Sequence, residues 1–215
     1  KGKYLVTARY FFCEECFMFD ERIREEDYLR EPFDVAREVL LGAYLCRRLP
    51  TGEVLAGKIT ELEVYIGAED KACHAYLNRK TKRNAVMFEK GGVAYVFFVY
   101  GMYNQFNVVV SGVGEANAIL IRSLEPVAGI DVMKRLRKCD KLEKLTTGPG
   151  KLCQALAIDR GLNGADLSGD EVWLSPKTKP CACVAVPRVG IDYAEEYKDK
   201  LWRYYIKGSK FISKK

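Results

Sequence analysis

The stretch VAYVFFVYGMYNQFNVVV, residues 93–110, decides how the chain is organised. Two runs rich in valine, tyrosine and phenylalanine flank Gly101, and β-branched and aromatic residues favour strands. Glycine permits the positive φ angles that tight hairpin turns require. The stretch therefore predicts a β-hairpin whose turn lies at Gly101.

The predicted turn is apolar, whereas hairpin turns are ordinarily polar. Tyr100, Met102 and Tyr103 surround Gly101. An exposed aromatic tip of this kind suits a protein that inserts side chains between the base steps of a duplex. Two other interpretations stay open from this stretch alone: a hairpin that folds back on its own domain, and one end of a protein interface.

The composition indicates one domain with a substantial core. The chain has 215 residues, 48% of them hydrophobic, and no Ser/Gly/Pro linker divides it. Its net charge of +6 permits nucleic-acid binding and equally suits a surface that is merely soluble. No segment has the roughly 18 consecutive apolar residues of a membrane span, and charges interrupt the N-terminal stretch where a signal sequence is apolar. We expect an intracellular protein with no membrane partner, nuclear if the source is eukaryotic and otherwise cytoplasmic.

The cysteine spacing gives little support for a metal site. Cys13 and Cys16 have the spacing of zinc ligands, but the usual second CxxC or HxxxH pair is missing. Cys181 and Cys183 do not form its standard complement. We predict neither a metal nor another cofactor.

The segment KITELEVYI, residues 58–66, predicts a strand with two carboxylates on one face. Side-chain alternation would place Ile59, Glu61, Glu63 and Tyr65 together, with the glutamate Cα atoms roughly 7 Å apart. Three interpretations are open: an exposed polar face of the sheet, a general base beside a stacking ring, or the paired acids of an inverting, sugar-directed glycosidase.

Two further polar residues and one loop are candidates for function. His74 is the only histidine, and the turn at residues 67–70 leads into a predicted short helix that would fold it back towards Tyr65. Arg122 interrupts the apolar strand ANAILIRSL and must reach solvent, a carboxylate or a site. A surface histidine and a structural ion pair are the plainer alternatives. The basic loop NRKTKRN, residues 78–84, suits phosphate contact, a nuclear address or simple solvation.

The remaining pattern predicts an α+β fold: a single domain with a curved, mainly antiparallel sheet, surrounding helices and a protruding β-hairpin. Helices are predicted over residues 35–42 with a cap at Asp34, from Pro126 to about Lys138, and over LCQALAI. Further strands are predicted in LCRRL, VLAGKI, EVWLS, ACVAVPRVGI and LWRYYIKG.

Six segments, in the same order along the chain, resemble the alkyladenine (3-methyladenine) DNA glycosylase family, mammalian type, and its bacterial relatives. The combination is specific, although no single segment is. We therefore assign residues 1–27 to an N-terminal extension and residues 28–215 to a DNA glycosylase domain. The six segments are FDVAREVLLG, ITELEVYIGAEDKACHA, TKRNAVMFEKGGVAYVFFVYGMYNQFNVV, ILIRSLEP, TGPGKLCQALAI and VPRVGI.

The resemblance implies a monomeric enzyme that removes damaged purines from double-stranded DNA by hydrolysing the N-glycosidic bond. It implies that Glu63 is the general base and that Arg122 helps Glu63 to hold the attacking water. A backbone carbonyl, that of Val189, would complete the water site. Glu61 is expected to support the fold or the site.

The resemblance also implies how the base is bound. Tyr65 and His74 would stack on the flipped base, and Asn107 would crowd the 2-amino position of a purine. Phe97 stands on the pocket wall where the family often has a tyrosine, so a hydroxyl that bears on neutral lesions is absent.

The hairpin tip would then contact the duplex. Tyr100 would fill the gap that the flipped base leaves, with Met102 and Tyr103 alongside it. No lysine stands at the matching catalytic position, so the resemblance implies an enzyme that leaves an abasic site without cutting the strand. The alternative from another class is a non-catalytic binder of damaged or distorted DNA that uses the same hairpin.

Overall fold

The computed structural model describes residues 19–214 of the chain. In these residues eight strands form one curled sheet, and all the paired neighbours are antiparallel. The strands are β1 (Tyr44–Arg48), β2 (Val54–Tyr65), β3 (Ala94–Val99), β4 (Tyr103–Val110), β5 (Asn117–Ala128), β6 (Val172–Ser175), β7 (Cys183–Val186) and β8 (Arg203–Ile206). Their order is β3-β4-β5-β2-β1-β6, and β8 pairs with both β2 and β7. The predicted α+β fold with a curved antiparallel sheet is confirmed.

The helices are short and surround the sheet. The helix predicted from Asp34 begins earlier, at Pro32, because proline suits the first turn of a helix, and Asp34 pairs with Arg37 at 2.8 Å instead of capping it. No helix in residues 19–214 is long and apolar enough to cross a bilayer. The α-helices are α1 (Glu25–Tyr28), α2 (Pro32–Asp34, continued as a π-helix over Val35–Leu40), α3 (Ile130–Arg137) and α4 (Pro149–Ala155). Short 3₁₀ helices span Tyr76–Asn78, Ala85–Phe88, Leu142–Lys144, Arg160–Leu162 and Asp192–Asp199.

The sheet separates the main core from a second face that bears a pocket. On β4, Phe106 and Val108 lie in the main core, whereas Asn107 between them lines the pocket. On β5, Ile121 lies in the core and Leu120 lines the pocket. The two-residue period of strands therefore assigns successive side chains to core and pocket.

Two consecutive bulges interrupt the pairing of β2 with β5. Thr60 is an extra residue on β2, and Arg122 is an extra residue on β5. The first bulge reverses the alternation, so Ile59 packs in the main core with Leu62. The prediction that Ile59 shares a face with Glu61 is therefore wrong. The Cα partners that define the bulges are Ile59 with Leu124, Glu61 with Ser123 and Leu62 with Ile121.

Strand β5 is longer than predicted and contains Pro126. Proline lacks an amide proton, and Pro126 lies opposite Gly57 at a further irregularity of the ladder, where that loss is tolerated. Pairing continues to Ala128, and the helix begins only at Ile130. The prediction of a helix from Pro126 is therefore wrong.

Residues 19–23 pack along the β6 edge of the sheet. The Ile23 N–H donates to the Leu174 carbonyl at 2.9 Å, and the Trp173 indole N–H donates to the Phe19 carbonyl at 2.7 Å. Phe19 and Ile23 are buried. These contacts involve part of the predicted extension 1–27, whose boundary stays a prediction.

We expect Gly67→Ala to destabilise the fold because the backbone has no room for a side chain there. A Cβ atom at Gly67 would lie 2.4 Å from the Glu115 carbonyl oxygen, and overpacking of this kind costs about 1–3 kcal/mol. Urea unfolding measures the loss. Gly112→Ala is the matched control, because its Cβ would meet only the flexible carboxylate of Glu115, at 3.2 Å. Equal stability of both variants would contradict the close approach.

Candidate active site

An open pocket of about 340 Å³ lies between the β3–β4 hairpin and the loop that follows β7. Its volume falls in the range of small-ligand sites, roughly 300–1,000 Å³. The structure brings seven of the predicted site residues to its wall. They are Tyr65, His74, Phe97, Tyr100, Asn107, Arg122 and Val189.

The sheet register explains why residues so far apart in sequence meet. Tyr95 pairs with Asn107, Asn107 with Leu120, and Leu120 with Glu63. Glu63 in turn pairs with Arg203 on β8. This row across five strands thus brings the ring of Tyr95, the amide of Asn107 and the carboxylate of Glu63 to the same region of the sheet.

Glu63 is fully buried, at 0% exposure, and lies behind the residues that line the pocket. Its Oε2 accepts hydrogen bonds from Arg122 Nη1 at 3.2 Å and from the Tyr65 hydroxyl at 2.9 Å. Its Oε1 accepts one from the Val189 N–H at 2.7 Å. The described residues thus supply three donors, and a carboxylate accepts about four hydrogen bonds, which leaves one position on Oε1.

Val189 contacts Glu63 in a way that the sequence did not predict. The resemblance assigned a role to its carbonyl, whereas the structure shows its N–H donating to Glu63. The role of the carbonyl stays a prediction.

Glu61 is also fully buried, so the interpretation of an exposed polar face is wrong. Five donors reach its two oxygens. Burial opposes its charged form, but the donors outweigh that effect, above all Arg122 and the Ser213 N–H, and hold the pKa of Glu61 below its ordinary value. A carboxylate so completely paired is not free to bind water or sugar. The donors are Arg122 Nε, Arg203 Nη1, the Ser123 hydroxyl, and the N–H and hydroxyl of Ser213.

Arg122 lies between the two glutamates because it is the extra residue of the second bulge. Bulges redirect a side chain relative to regular strand neighbours. Burial disfavours the cation, yet the carboxylates of Glu63 and Glu61 raise the pKa of Arg122. Arg122 does form a structural ion pair with Glu61, at 3.1 Å, as the plainer alternative predicted. The Arg122 side chain also reaches Glu63 and the pocket wall.

Aromatic rings form one side of the pocket. The centroids of His74 and Phe97 are 4.6 Å apart, and those of Tyr95 and Phe97 are 5.1 Å apart. His74 Nδ1 lies 2.9 Å from the Tyr95 hydroxyl. Phe97 has no hydroxyl, but the adjacent ring of Tyr95 carries one in the pocket wall. Sequence reasoning missed Tyr95.

The hairpin tip projects from the domain, so the interpretation of a hairpin folded back on its own domain is wrong. Tyr100 is 86% exposed, Met102 63% and Tyr103 44%. Tyr100 and Gly101 both have positive φ, at 52° and 66°, as the central residues of a type I′ turn do. Tyr100 also lines the pocket mouth, whereas Met102 and Tyr103 lie outside the lining.

Comparison with known proteins agrees with this architecture. The sequence model of the methylpurine-DNA glycosylase (MPG) family matches residues 26–210. The chain belongs to the methylpurine-DNA glycosylase family. The family resemblance predicted from the six segments is thereby confirmed.

Its relatives include several bacterial proteins, each named as a candidate 3-methyladenine DNA glycosylase. The one from Clostridium novyi is 44% identical over 203 residues, which cover 91% of this chain and 100% of that protein. Those from Natranaerobius thermophilus and Carboxydothermus hydrogenoformans are 46% and 48% identical, each covering 87% of this chain and 96% of the relative. These relatives support the bacterial branch of the resemblance and give no support to a mammalian type or to a nuclear location.

Arg188 is a residue of this family member that sequence reasoning missed. It forms a two-point ion pair with Asp70, at 2.6 and 2.8 Å, and both side chains are fully buried. Its guanidinium also lies 4.6 Å from the centre of the Tyr65 ring. Arg188 therefore joins the turn that precedes His74 to the Tyr65 wall, and it stands next to Val189. An arginine inside the apolar run VPRVGI was the available signal.

The predicted helix leading to His74 is wrong, because residues 67–74 form turns. Asp70 organises them: its carbonyl accepts from the Cys73 N–H at 2.8 Å and its carboxylate from the Ala72 N–H at 3.0 Å. The turns nevertheless bring His74 to the pocket together with Tyr65, as predicted.

Within residues 19–214 no group of three or more His, Cys, Asp or Glu side chains is arranged to hold a metal ion. Cys181 donates to the Leu41 carbonyl at 3.4 Å, and Cys183 is exposed. Cys13 and Cys16 lie outside the described residues.

His74 is neutral at physiological pH. Its ring is open to the pocket, yet the surrounding protein withdraws it from water, and the positive charge of Arg83 adds to this effect. Together they lower the pKa of His74 from 6.5 to about 4. In the unfolded chain the ring takes up a proton near 6.5 and in the native protein only near 4, so this group reduces stability as the pH falls through that interval.

We expect NMR titration of His74, the only histidine, to give a midpoint well below 6.5 and towards about 4. Arg83→Gln removes one positive charge and should raise the midpoint, while burial keeps it below that of a free histidine. A midpoint at or above 6.5 in the native protein would contradict the assigned environment.

Proposed function

We propose that this chain is a DNA glycosylase that flips alkylated or deaminated purines out of the duplex and hydrolyses the N-glycosidic bond. The observation that supports this most directly is the placement of Glu63. It lies behind an aromatic pocket, bonded to Arg122, Tyr65 and Val189, beside an exposed aromatic hairpin. Membership of the methylpurine-DNA glycosylase family adds to that support.

The proposed reaction requires the base to leave the helix. A stacked base cannot be reached by a carboxylate buried behind a pocket, and extrusion costs a few kcal/mol. Tyr100, 86% exposed at the pocket mouth, would stack in the space that the base vacates. Met102 and Tyr103 would contact the same region of the duplex. A bulky residue at φ 52° is strained, so this geometry is one that stability alone does not explain.

The pocket suits a flat, electron-poor base. Tyr65 and His74 would present ring faces to it, with Phe97 on the pocket wall. Alkylated purines already bear positive charge that aromatic faces attract. A neutral His74 does not repel such a cation. Asn107 is held by a hydrogen bond from its Nδ2 to the Tyr95 carbonyl at 3.1 Å, and it would crowd the 2-amino group of a normal guanine.

Glu63 would act as the general base. Three hydrogen bonds hold its carboxylate in place, and the remaining position on Oε1 would orient a water molecule towards the sugar carbon. The Val189 carbonyl would complete the water site. Positive charge develops on the sugar as the bond breaks, and a nearby carboxylate stabilises it. No lysine lines the pocket in the described part of the chain, which supports a monofunctional hydrolase that leaves an abasic site.

Double-stranded DNA would be held partly by the basic loop beside the hairpin. Arg83 donates to the Phe98 carbonyl at 3.4 Å and lies 5.2 Å from the Phe97 ring centre, so the loop is joined to β3. Its neighbours Arg79, Lys80 and Lys82 are exposed. Cations there would neutralise phosphates next to the flipped nucleotide. One pocket with its own hairpin is consistent with action as a monomer.

We expect Glu63→Gln to retain lesion binding and to lower excision by at least about a hundredfold, because the amide keeps the shape but cannot take a proton. Single-turnover base release, with lesion-DNA affinity measured in parallel, tests this. Glu143→Gln makes the same charge change at an exposed position and should behave as wild type. Excision by Glu63→Gln at the wild-type rate would refute the assignment. A wild-type chain that binds lesions but releases no base would indicate the non-catalytic binder instead.

We expect Tyr100→Ala to reduce the extruded population rather than the rate of chemistry. Stacking of an aromatic ring on bases is worth about 1–3 kcal/mol, or roughly a five- to 150-fold change. The loss should be large for a lesion opposite its normal partner and smaller opposite a bulge, where extrusion costs less. Single-turnover excision in both contexts measures it.

Val113→Ala is the matched control for Tyr100→Ala. Val113 is 76% exposed and lies in the turn after β4, at the end of that strand away from the hairpin tip. It should leave both excision rates unchanged. Equal losses by Tyr100→Ala in the two contexts would mean that Tyr100 supports the fold or the pocket and does not enter the duplex.

A further inference from the structure

The segment 209–214, which follows β8, folds back across the buried middle of β2. The Thr60 hydroxyl donates to the Phe211 carbonyl at 2.7 Å, and Arg203 Nη1 donates to the Lys214 carbonyl at 2.7 Å. Thr60 is the extra residue of the first bulge, so the bulge supplies the donor that fastens this segment. The segment lies outside the pocket lining.

Ser213 places its backbone and its hydroxyl inside the charged cluster. Its N–H donates to Glu61 Oε2 at 2.6 Å, and its hydroxyl donates to Glu61 Oε1 at 2.9 Å. The same hydroxyl oxygen accepts from Arg122 Nη2 at 3.1 Å. The Ser213 hydroxyl thus donates its proton to Glu61 and accepts from Arg122 with a lone pair.

Arg122 is consequently fixed in three directions. Nε donates to Glu61, Nη1 to Glu63 and Nη2 to Ser213. The guanidinium is a rigid planar group, so fixing Nε and Nη2 sets the direction in which Nη1 approaches Glu63. An unpaired buried donor is energetically costly. Without the Ser213 hydroxyl, we therefore expect the Arg122 guanidinium to turn in its plane until Nη2 meets another acceptor.

We propose that Ser213 is a positioning residue of the active site, and that the segment 209–214 completes the site from behind. This inference rests on the proposed function of Glu63. Ser213 does not touch the substrate. It sets the orientation of Arg122, and through it the orientation of the Glu63 carboxylate that holds the water.

Ser213 supplies two of the five donors that pair with Glu61. Glu61 accepts from Arg122, Arg203 and Ser213, which come from β5, β8 and the segment after β8. It therefore holds together the elements that surround Arg122. Glu61 acts on the reaction only through these contacts.

The test compares Ser213→Ala, Ser213→Thr and Ser209→Ala in the full chain. Ser213→Ala keeps the N–H contact and loses the hydroxyl; Ser213→Thr restores a hydroxyl. Ser209→Ala removes a hydroxyl from the same segment that only accepts from the Phe211 N–H, at 3.1 Å. Single-turnover excision, lesion-DNA affinity and melting temperature are measured for each.

We expect Ser213→Ala to lower the single-turnover rate roughly ten- to 150-fold, as for loss of a hydrogen bond to a charged group, with lesion affinity nearly unchanged. Ser213→Thr should recover most of the rate, and Ser209→Ala should match wild type. Equal losses of rate in Ser213→Ala and Ser209→Ala, or a loss confined to affinity and melting temperature, would overturn the positioning role.

A spectroscopic measurement separates this inference from the proposed function. The side-chain NMR signals of Arg122 report whether its guanidinium is held, whether or not the protein releases a base. We expect slow rotation and slow exchange in wild type and Ser209→Ala, and faster rotation in Ser213→Ala. An unchanged Arg122 signal in Ser213→Ala would refute the inference. A changed signal in a chain that excises nothing would leave the positioning intact and refute the proposed function.

Discussion

A buried cluster of four charges, Glu61, Glu63, Arg122 and Arg203, is the constraint on which the rest of the structure depends. Their side chains are between 0% and 8% exposed. Removing water from a charge is costly, and deleting one partner from such a cluster costs about 3–5 kcal/mol because the other is left unpaired. The fold must therefore bring all four together at once. It does so with β2, β5 and β8 as neighbours, and with two bulges that turn Arg122 between the glutamates.

The two glutamates have the same chemistry and different environments. Glu61 is surrounded by five donors and is shut away from the pocket, whereas Glu63 has three donors, each from a residue that also lines the pocket. Glu61 is therefore fully paired, whereas Glu63 has one acceptor position that no residue in the described part of the chain occupies. A pair of neighbouring acids that would suggest a sugar-directed glycosidase thus becomes one structural and one candidate catalytic carboxylate.

The pocket wall and the hairpin tip differ in how packing stabilises them. The pocket wall is built on the buried Asp70–Arg188 ion pair, and the Tyr65 ring lies against Arg188. The hairpin tip exposes Tyr100 and Met102, so burial does not stabilise these side chains. Tyr100 also has a positive φ, which the backbone of a bulky residue does not favour. Features that lower stability without a packing benefit concentrate at functional sites. The protein therefore combines a pocket wall built on a buried ion pair with an exposed hairpin tip that packing does not stabilise.

The sequence by itself determined the hairpin and the antiparallel sheet, because strand periodicity and local turn chemistry are encoded in neighbouring residues. Together with the family resemblance it also predicted seven of the residues that line the pocket. Glu63, Tyr65, His74 and Arg122 were identified from motifs whose residues are close in sequence. Only the tertiary structure decided the bulge that moves Ile59 into the core, the strand position of Pro126, and the contacts of Arg188 and Ser213. Ser213 lies 152 residues from Glu61, and no local pattern specifies a contact of that range. Such contacts follow from strand register and from the requirement that every buried charge find a partner, and both are properties of the folded chain.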